Sequence, residues 1–367
     1  MKKILYIVTI PDWGGAQHYI FNLSYNLKDE FAITVASGKL AGISKYNLLK
    51  KIEEYMPNNE VGTHEFKNLT RSINPIRDIL AIFDLVNYIN SAKPDIIHLN
   101  SSKAGIIGSI AARLAKHKAK VVYTIHGWVF LEPMNKFKRW LYIRLEKFAS
   151  RFRNKIIILG LKEKQIALNY KICHEEKIKV LPHGIIKFNR TSKERAREKL
   201  GLPQNKKIIG TISNLYTSKG IEYLIEAAAN IKDDNIIFVV IGDGELKNEL
   251  NSKIQKLNLQ NRFNLLGEVF YAAQYLNAFD IFTLSSIKEG MPFVILEAME
   301  AGLPIVATDV GNIQEMMEDY QNKIIVPSRN SLKLAQAIQE IRTVAQIWNP
   351  KYDFYFNVQM SNLYNSL

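Results

Sequence analysis

The chain has 367 residues, of which 47% are hydrophobic and 23% charged, and its formal net charge at pH 7 is +14. The composition is that of a soluble globular protein, and the length exceeds what one ordinary core organises, which predicts two domains. No apolar run is long enough to cross a bilayer, and the single cysteine, Cys173, excludes an internal disulfide framework. We therefore expect a cytoplasmic protein.

Positive charge is concentrated in the first half of the chain. Residues 1–190 carry 31 Lys and Arg against 15 Asp and Glu, a balance of +16, whereas residues 191–367 carry 18 against 20, a balance of −2. A basic half attracts phosphates, nucleic acid or an anionic membrane surface. Nucleic-acid binding is disfavoured because no basic-aromatic module is recognisable.

Apolar runs of strand length alternate with amphipathic runs of helix length along the whole chain. The predicted strands are KILYIVTI, FAITVAS, DIIHLNS, KVVYTIHG, KIIILG and IKVLPHGI, followed by KKIIGTIS, NIIFVVIGDG, RFNLLGE, DIFTLSS, LPIVATDV and KIIVPS. Short, almost wholly apolar strands separated by helices are typical of parallel sheets covered on both faces. Two such series predict an α/β protein with two doubly wound, Rossmann-like domains.

The polar stretch HGIIKFNRTSKERAREKLGLPQNKK predicts a domain boundary near residues 184–205. We expect an N-terminal domain over residues 1–185, a C-terminal domain over 186–345, and a helix over 346–367 that packs back on the first domain. The initial MKKILYIVTIPDWGGAQ briefly resembles a signal peptide, but it is better interpreted as a first β-strand leading into a glycine loop.

Two short motifs follow strands of the first domain. In IPDWGGAQHYI, Gly14 and Gly15 lack Cβ atoms and permit close approach of a ligand, although a Gly-Gly pair is also a common structural turn. In TIHGW, His126 ends a parallel strand, where open α/β sheets bind ligands. The alternative for His126 is a structural hydrogen-bonding group.

The segment that follows His126 interleaves basic and apolar residues at helical spacing. Between residues 136 and 155, eight basic residues are interleaved with large apolar residues that include Trp140, Leu141, Ile143, Leu145 and Phe148. Such a helix is suited to docking on an anionic membrane surface. The alternative is an ordinary amphipathic helix with a core-facing apolar side and a solvated basic side.

The second domain places two carboxylates beside a predicted helix start, in SSIKEGMPFVILEAMEAG. Pro292 suits the first turn of that helix, whose N–H groups and positive dipole end favour a diphosphate. Glu289 precedes the helix and Glu297 lies one to two turns into it, so both can accept hydrogen bonds from hydroxyls of a sugar nucleotide. The alternative is a loop carboxylate and a partly exposed helix residue.

Other motifs of the second domain are less specific by themselves. Lys219 and Gly220, in GTISNLYTSKGIEYLIEA, begin a helix, where a lysine is ordinarily a surface residue. In VVIGDGELKNEL, Asp243 belongs to a tight turn and receives no role, and the missing Gly-x-Gly-x-x-Gly pattern disfavours a dehydrogenase. Neither an Asp-x-Asp motif nor a His/Cys cluster at zinc-ligand spacing is present, so we expect no required metal.

The stretch EGMPFVILEAMEAGLPIVATDVGNIQE resembles the signature of the retaining glycosyltransferases of family 4. That signature has two glutamates separated by seven residues, then a small-residue helix and a Gly-x-Pro-Val/Ile-Val-Ala strand. The motifs around Gly14, His126 and Lys219 match other parts of the family pattern in order, so the resemblance covers most of the chain. It implies the GT-B fold, in which two Rossmann-like domains face a central cleft and the second holds the donor nucleotide.

The resemblance also implies roles for individual residues. Catalytic roles fall to His126 and Glu289, which contact the donor sugar, and to Lys219, which offsets charge on the diphosphate leaving group. Glu297 binds the nucleotide ribose. The backbone segment that approaches the sugar and diphosphate comprises Gly290, Met291, Pro292 and Phe293.

The remaining matches lie on both sides of the implied cleft. Gly14, Gly15 and His126 contribute to the acceptor site, and Gly15 also approaches a donor phosphate. Asn214 stands at a donor-binding position where the family most often has arginine, which puts full neutralisation of the leaving group in doubt. Glu315 matches a family glutamate near the donor, but it is equally consistent with a helix-surface charge.

The function implied is transfer of a sugar from a UDP- or GDP-linked donor to a glycan or lipid-linked acceptor, with retention of anomeric configuration and without a cofactor. The charge asymmetry and the family favour cell-envelope polysaccharide or glycolipid synthesis, with peripheral attachment to the inner face of the membrane. Two alternatives are a sugar-nucleotide epimerase of the same fold and a non-catalytic nucleotide-sugar-binding protein. Glu289, Glu297 and Lys219 disfavour the latter, whereas Asn214 mildly favours it.

Overall fold

The computed structural model describes residues 1–39, 47–58, 60–132, 134–182, 184, 190–269, 271–342 and 355–367. The chain folds into two compact units, Met1–Gly184 with Tyr352–Leu367, and Ile185–Lys351. Of the helix expected over residues 346–367, residues 346–354 lie outside the described part, and the remainder forms a helix of the first unit.

The first unit is built on a seven-stranded sheet in which all pairs are parallel, with the order β3-β2-β1-β4-β5-β6-β7. Its strands are β1 (Lys3–Val8), β2 (Ala32–Gly38), β3 (Val61–Phe66), β4 (Ile96–Leu99), β5 (Lys120–Ile125), β6 (Lys155–Ile158) and β7 (Ile178–Val180). Its helices are α1 (Gly15–Leu27), α2 (Leu48–Tyr55), α3 (Pro75–Ala92), α4 (Ser102–Leu114), α5 (Lys136–Ser150), α6 (Leu161–Asn169) and α13 (Tyr355–Ser366).

The second unit has a six-stranded sheet, also with parallel pairs throughout, in the order β10-β9-β8-β11-β12-β13. Its strands are β8 (Lys207–Ile212), β9 (Ile236–Ile241), β10 (Phe263–Gly267), β11 (Ile281–Leu284), β12 (Ile305–Thr308) and β13 (Lys323–Val326). Its helices are α7 (Lys193–Lys199), α8 (Ile221–Asn230), α9 (Lys247–Lys256), α10 (Phe293–Glu300), α11 (Ile313–Met316) and α12 (Ser331–Glu340).

These two sheets confirm the predicted fold class of two Rossmann-like α/β domains. Burial of the central strands on both faces explains their nearly continuous apolar runs. β3 was not predicted, because this edge strand buries only Val61 and Phe66, and the residues between them are half-buried or exposed. An edge strand with one solvent-exposed face has no continuous apolar run, so the sequence pattern does not indicate it.

Each sheet has one point where the strand order reverses, between β1 and β4 in the first unit and between β8 and β11 in the second. The loops after such neighbouring strands run to opposite faces of the sheet and leave a crevice at the carboxyl edge, where open α/β sheets bind ligands. The loops that follow these four strands carry most of the predicted site residues.

The C-terminal helix α13 is fastened to the first unit by polar and apolar contacts. Lys2 Nζ donates to the carbonyl of Tyr364 at 2.9 Å, and the Ser361 hydroxyl donates to the carboxylate of Glu30. The ring of Phe356 packs 5.4 Å from that of Tyr19. Within the described ranges, no helix has the length and apolar character needed to cross a membrane.

Candidate functional site

The loops after β8 and β11 bring together two of the predicted residues of the second unit. Lys219 Nζ lies 2.7 and 2.9 Å from the two carboxylate oxygens of Glu289. The Glu289 side chain is 8% exposed and that of Lys219 is 26% exposed, so the pair is shielded but still reachable from solvent. A cation and an anion are therefore held together at the switch point of this sheet, the place between β8 and β11 where the strand order reverses.

Hydrogen bonds join these two loops. The carbonyl of Ser218 accepts from the backbone N–H of Ile287 at 2.8 Å, and Ser285 Oγ donates to the carbonyl of Lys219 at 3.2 Å. Gly220 permits this approach, because its φ is +58° and a Cβ there would lie 2.3 Å from the carbonyl oxygen of Ser285. The glycine after Lys219 is thus required by the packing of one loop against the other.

Replacing Gly220 with alanine is expected to lower the free energy of unfolding by about 2–4 kcal/mol, from left-handed strain and overpacking together. Gly201 is a matched control, since its φ is +65° and a Cβ there would meet no atom within 4 Å. Gly201→Ala should therefore cost only about 1 kcal/mol. Denaturant unfolding of both variants measures the difference, and equal costs would contradict the clash with the Ser285 carbonyl.

The Glu289 carboxylate is held by residues that the sequence analysis did not identify. Ser286 Oγ donates to Glu289 Oε1 at 2.6 Å, and the carbonyl of Ser286 accepts from Thr308 Oγ1 at 2.6 Å. Gly311, with φ +58°, lies where a Cβ would come within 2.5 Å of the Glu289 carbonyl oxygen. The loop that follows β12 therefore supports the Glu289 loop from the side opposite Lys219.

Glu297 lies in the second turn of α10 and is 5% exposed. The alternative interpretation of a partly exposed helix residue is therefore wrong. Burial, with a further contribution from the charge of Glu300, raises the pKa of the Glu297 carboxyl to about 7. Its ionisation near neutral pH consequently responds to any group that donates hydrogen bonds to it.

The start of α10 differs by one residue from the expectation. Pro292 does not belong to the first turn but precedes the helix in an extended conformation, with φ −72° and ψ 122°. Because proline has no N–H, it cannot supply one to a ligand. Donation from this segment is restricted to the backbone of Gly290, Met291 and Phe293.

The other polar residues singled out in the second unit lie in different environments. Asn214 is half-buried on the loop after β8, the same loop that carries Lys219. Glu315 is half-buried in α11. Asp243 is exposed and pairs with Lys247 at 2.6 Å. Over the ranges that the structure describes, no three His, Cys, Asp or Glu side chains form a group that could hold a metal ion.

In the first unit, Gly14 and Gly15 lie at the junction of the β1 loop and α1. A Cβ at Gly15 would meet no atom within 4 Å, and a Cβ at Gly14 would meet only Gln17 Oε1, at 3.2 Å. The fold itself therefore does not require glycine at position 15. The backbone there is open to an incoming group.

His126 is half-buried directly after β5. Its Nε2 lies 3.3 Å from Asn100 Oδ1, and the Tyr19 ring contacts it edge to face, with centroids 4.9 Å apart. Burial lowers the pKa of the imidazole to about 3. The ring is therefore neutral at physiological pH and can form hydrogen bonds without carrying a positive charge.

Sequence reasoning missed the aromatic and cationic neighbours of Gly14. Lys51 Nζ lies 3.6 Å from the centroid of the Trp13 ring, a cation–π contact, and Lys51 is only 8% exposed. Trp13 belongs to the quoted glycine motif and could have been noticed there. Nothing in the sequence around Lys51 distinguishes it from a surface lysine.

The basic segment 136–155 forms α5 and continues to the start of β6. Four of its large apolar side chains are exposed to solvent, to fractions of 69%, 52%, 40% and 45% for Phe137, Trp140, Leu141 and Phe148. Ile143 packs against the core. Arg153 is 1% exposed and pairs with Glu146 at 2.8 Å, so it does not belong to a cationic surface.

A second exposed apolar surface, which the sequence analysis did not identify, lies on the first half of α3 and just before it. Its members are Ile73, Ile76, Ile79, Leu80 and Phe83, with exposed fractions between 44% and 74%. α3 and α5 both pack on α4 and cover the same face of the sheet, so their outer sides are turned the same way. A monomeric surface with this many exposed apolar side chains is typical of an interaction site.

Comparison with protein families gives two matches along the chain. Residues 13–186 match the family described as Glycosyltransferase Family 4, and residues 192–343 match the family described as Glycosyl transferases group 1. Together the matched ranges contain every predicted site residue.

Two bacterial proteins are similar to this chain along most of its length. The chain is 38% identical over 251 residues to the UDP-Gal:alpha-D-GlcNAc-diphosphoundecaprenol alpha-1,3-galactosyltransferase of Escherichia coli, and the aligned part spans 66% of this chain and 65% of that protein. It is 25% identical over 282 residues to the capsular polysaccharide biosynthesis glycosyltransferase CapM of Staphylococcus aureus, with 74% of each chain covered.

Solved structures share the fold over the whole chain. The Anabaena protein Alr3699/HepE in complex with UDP-glucose matches with a TM-score of 0.82 at 23% identity and covers 100% of both chains. WaaG, a glycosyltransferase involved in lipopolysaccharide biosynthesis, matches with a TM-score of 0.70 at 14% identity, over 99% of this chain and 95% of that one. At these identities the likeness concerns the fold alone, and it confirms the GT-B assignment.

Proposed function

This chain belongs to glycosyltransferase family 4, and on that premise we propose that it transfers a sugar from a nucleotide-sugar to a glycan or lipid-linked acceptor, with retention of anomeric configuration. The observation that carries the proposal is the Lys219–Glu289 pair at the switch point of the second unit, with the buried Glu297 on α10 nearby in the same signature segment. We propose a uridine nucleotide as donor, because UDP-galactose and UDP-glucose appear in the names of the relatives above.

The donor would be held by groups of the second unit. Lys219 would bind the diphosphate, since its ammonium group is the cation at the switch point and is still reachable from solvent. The backbone N–H groups of Gly290, Met291 and Phe293, at the positive end of α10, would add to this charge stabilisation. Glu297 would accept hydrogen bonds from the ribose hydroxyls.

The ion pair of Lys219 with Glu289 would change when the donor binds. A diphosphate competes with the Glu289 carboxylate for the same ammonium group, so the lysine would turn toward the phosphates. Ser286 Oγ would continue to hold Glu289 Oε1, leaving the carboxylate oriented toward hydroxyls of the donor sugar. The pair would thus keep both groups in place before the donor arrives.

The chemical step would replace one glycosidic bond with another on the same face of the sugar. The bond between the anomeric carbon and the diphosphate oxygen breaks as the acceptor hydroxyl oxygen forms its bond to that carbon. The acceptor proton passes to a phosphate oxygen of the leaving nucleoside diphosphate. Lys219 stabilises the charge that develops on this leaving group, and Glu289 orients the sugar without acting as a base.

The first unit would contribute His126 and the glycine loop. Neutral His126 would hydrogen-bond to a hydroxyl of the donor sugar, because burial keeps it uncharged. The open backbone at Gly15 would receive the acceptor or a donor phosphate. These assignments rest on the resemblance and on the exposure of the two positions at the carboxyl edge of the sheet.

We also propose that the outer sides of α3 and α5 dock on an anionic membrane surface, where a lipid-linked acceptor would be reached. The support is the combination of exposed apolar side chains with the basic residues of α5, which are Lys136, Lys138, Arg139, Arg144 and Lys147. Aromatic and aliphatic side chains enter the headgroup region, while lysine and arginine bind anionic lipids.

Membrane docking predicts binding to vesicles that contain anionic phospholipid, weakened by high salt. The double substitution Phe83→Ser and Phe137→Ser should reduce vesicle binding at least about tenfold, because two exposed aromatic side chains no longer enter the bilayer. Leu332→Ser is the matched control, since Leu332 is 61% exposed on α12 of the second unit. Equal cosedimentation of the double variant and the control would refute this surface.

The function is tested by thermal stabilisation with UDP, GDP, UDP-glucose and UDP-galactose, each with and without EDTA, in the wild type and in Lys219→Ala and Glu297→Ala. A ligand at about a hundred times its Kd adds roughly 2.7 kcal/mol to stability. The donor that stabilises the wild type is then incubated with a lipid-linked diphosphate sugar, and the product linkage is determined.

Retained configuration and a dependence on acceptor support the proposal. Conversion of the donor sugar without any acceptor would indicate an epimerase instead. Stabilisation without turnover would indicate a non-catalytic binding protein. Absence of any nucleotide-dependent shift at millimolar concentration would reject the donor site itself.

A further inference from the structure

A chain of fully buried polar side chains lies behind His126 in the first unit. Tyr19 Oη lies 3.0 Å from Thr124 Oγ1, which lies 2.7 Å from His98 Nε2. His98 Nδ1 is hydrogen-bonded to the hydroxyl of Tyr364, which donates to the hydroxyl of Tyr6 at 3.1 Å. All five side chains are 0% exposed, so the chain of bonds is isolated from water and extends from α1 to the C-terminal helix α13.

The donors and acceptors of this chain are compatible with only one direction. Burial lowers the pKa of His98 well below its usual value, so the neutral ring has one N–H donor and one acceptor nitrogen. Because the Tyr364 hydroxyl donates to Tyr6, its oxygen accepts from His98 Nδ1–H. Nε2 then accepts from Thr124, and Thr124 accepts from Tyr19.

Two contacts connect this network to His126. The Tyr19 ring lies edge-on to the His126 ring at 4.9 Å and edge-on to His98 at 6.0 Å, so one ring packs against both histidines. Asn100 Nδ2 donates to the carbonyl of His98 at 3.0 Å, which orients the amide and directs Oδ1 toward His126 Nε2, 3.3 Å away. Since Oδ1 can only accept, the His126 proton is on Nε2.

We infer that Tyr364 and His98 are positioning residues of the His126 site. Their side chains hold Tyr19, whose ring orients His126, while the backbone carbonyl of His98 holds Asn100, which sets the tautomer of His126. The C-terminal helix is then a part of that site, although the hydroxyl of Tyr364 does not contact His126 itself. The inference rests on the proposed role of His126 in sugar transfer. It assigns a function to four residues for which the sequence offered none.

A purely structural role, in which the network only fastens α13, gives a different experimental result. Either role lowers stability when a buried hydroxyl is removed, because its partner loses a hydrogen bond. Only a positioning role alters the chemical environment of His126 in the free protein. The side-chain ¹⁵N resonances of histidine report both the tautomer and the ring environment, and they are observed without any substrate.

The experiment compares Tyr364→Phe, Thr124→Val and Asn100→Leu with the wild type after selective ¹⁵N-histidine labelling, and assigns His126 by His126→Gln. We expect Nε2-protonated His126 in the wild type and displaced His126 resonances in all three variants. For sugar transfer, kcat should fall about tenfold in Tyr364→Phe with a nearly unchanged donor KM, as misplaced groups reduce kcat.

The matched control is Tyr123→Phe. Tyr123 is also a buried phenol of the same unit, 1% exposed, but its side chain belongs to the core on the other face of the sheet. This variant should lose stability while leaving the His126 resonances and kcat within about twofold of the wild type.

The inference is overturned if His126 has the other tautomer, or if its resonances in Tyr364→Phe and Thr124→Val coincide with those of the wild type. Should Tyr364→Phe fail to fold, Thr124→Val provides the same test, since Thr124 joins Tyr19 to His98. The resonance data judge the inference without a donor or acceptor. Failure of the proposed function would appear separately, as absence of nucleotide binding or turnover.

Discussion

Replacement of Lys219 with alanine is expected to lower kcat for sugar transfer about a hundred- to a thousand-fold, with a smaller change in the donor KM. In the proposed mechanism the ammonium group offsets charge that grows on the diphosphate as the glycosidic bond breaks, so most of its effect belongs to the transition state. Asn214, on the same loop, is uncharged and cannot take over this role. Initial-rate kinetics with the identified donor measure the change.

The matched control for Lys219→Ala is Lys247→Ala. Lys247 also pairs with a carboxylate of the second unit, Asp243 at 2.6 Å, but on an exposed turn. Loss of that surface pair should alter kcat by no more than about twofold. If Lys219→Ala retains a kcat within tenfold of the wild type, leaving-group stabilisation by this lysine is refuted.

The variant Glu289→Gln separates the effect of Glu289 on UDP binding from its effect on sugar transfer. Without the competing carboxylate, Lys219 is fully available to a diphosphate, so UDP should bind the variant at least as tightly as the wild type. Sugar transfer should nevertheless fall, because in the role proposed for Glu289 an amide would orient the donor sugar less well than the carboxylate. Weaker UDP binding by Glu289→Gln would contradict the competition described for Lys219, and calorimetric titration measures it directly.

The fold could be predicted from the sequence because its strands are buried on both faces. β1, β4, β8 and β9 are nearly continuous apolar runs in the sequence, and turn or polar residues separate them from the helices. β3 could not be recognised in this way, since an edge strand with a wet face needs few apolar residues. How readily each strand could be predicted from the sequence therefore depended on how many of its residues are buried.

The candidate site residues could be proposed from the sequence only where they occur in contiguous motifs. Glu289 and Glu297 lie eight positions apart in one segment and were found together. Ser286 and Thr308 hold the Glu289 loop but are ordinary strand-end residues, with nothing in the sequence to associate them with a carboxylate.

Contacts between residues far apart in the sequence could not be predicted, for a different reason. His98 and Tyr364 are 266 residues apart, and their hydrogen bond exists only because α13 returns to the first unit. That return was expected from the sequence, but no local pattern shows which side chains it brings together. Likewise, the exposed apolar residues of α3 occur in a sequence that reads as a normal buried helix, and only the packing on α4 shows which of them remain uncovered.

Stability is expected to fall with rising pH on account of Glu297. Its pKa is raised from 4.5 to about 7, so between these values the folded protein retains a proton that the unfolded chain releases. The stabilisation is fully present below about pH 4.5, decreases as pH rises, and is lost above about pH 7. At about 1.4 kcal/mol per pKa unit, the whole effect amounts to about 3 kcal/mol.

Glu297→Gln isolates this contribution because the amide stays neutral at every pH. The variant and the wild type should have similar free energies of unfolding at pH 5, and the variant should be more stable by up to about 3 kcal/mol at pH 8. Glu226→Gln is the control, since Glu226 is a surface carboxylate of the same unit paired with Lys253. Denaturant unfolding at the two pH values suffices, and a pH-independent difference would refute the raised pKa.

Binding of the donor should have the opposite pH dependence. Ribose hydroxyls donate to a carboxylate more strongly than to a carboxylic acid, so in the ribose-binding role proposed for Glu297 its ionised form would be the binding form. The affinity for UDP-glucose should therefore rise about tenfold between pH 6 and pH 8 in the wild type, with net release of a proton. UDP-glucose is preferred to UDP as the ligand because its diphosphate has no ionisation of its own in this range. In Glu297→Gln the affinity should be lower and independent of pH, whereas a parallel rise in both proteins would place the titrating group elsewhere.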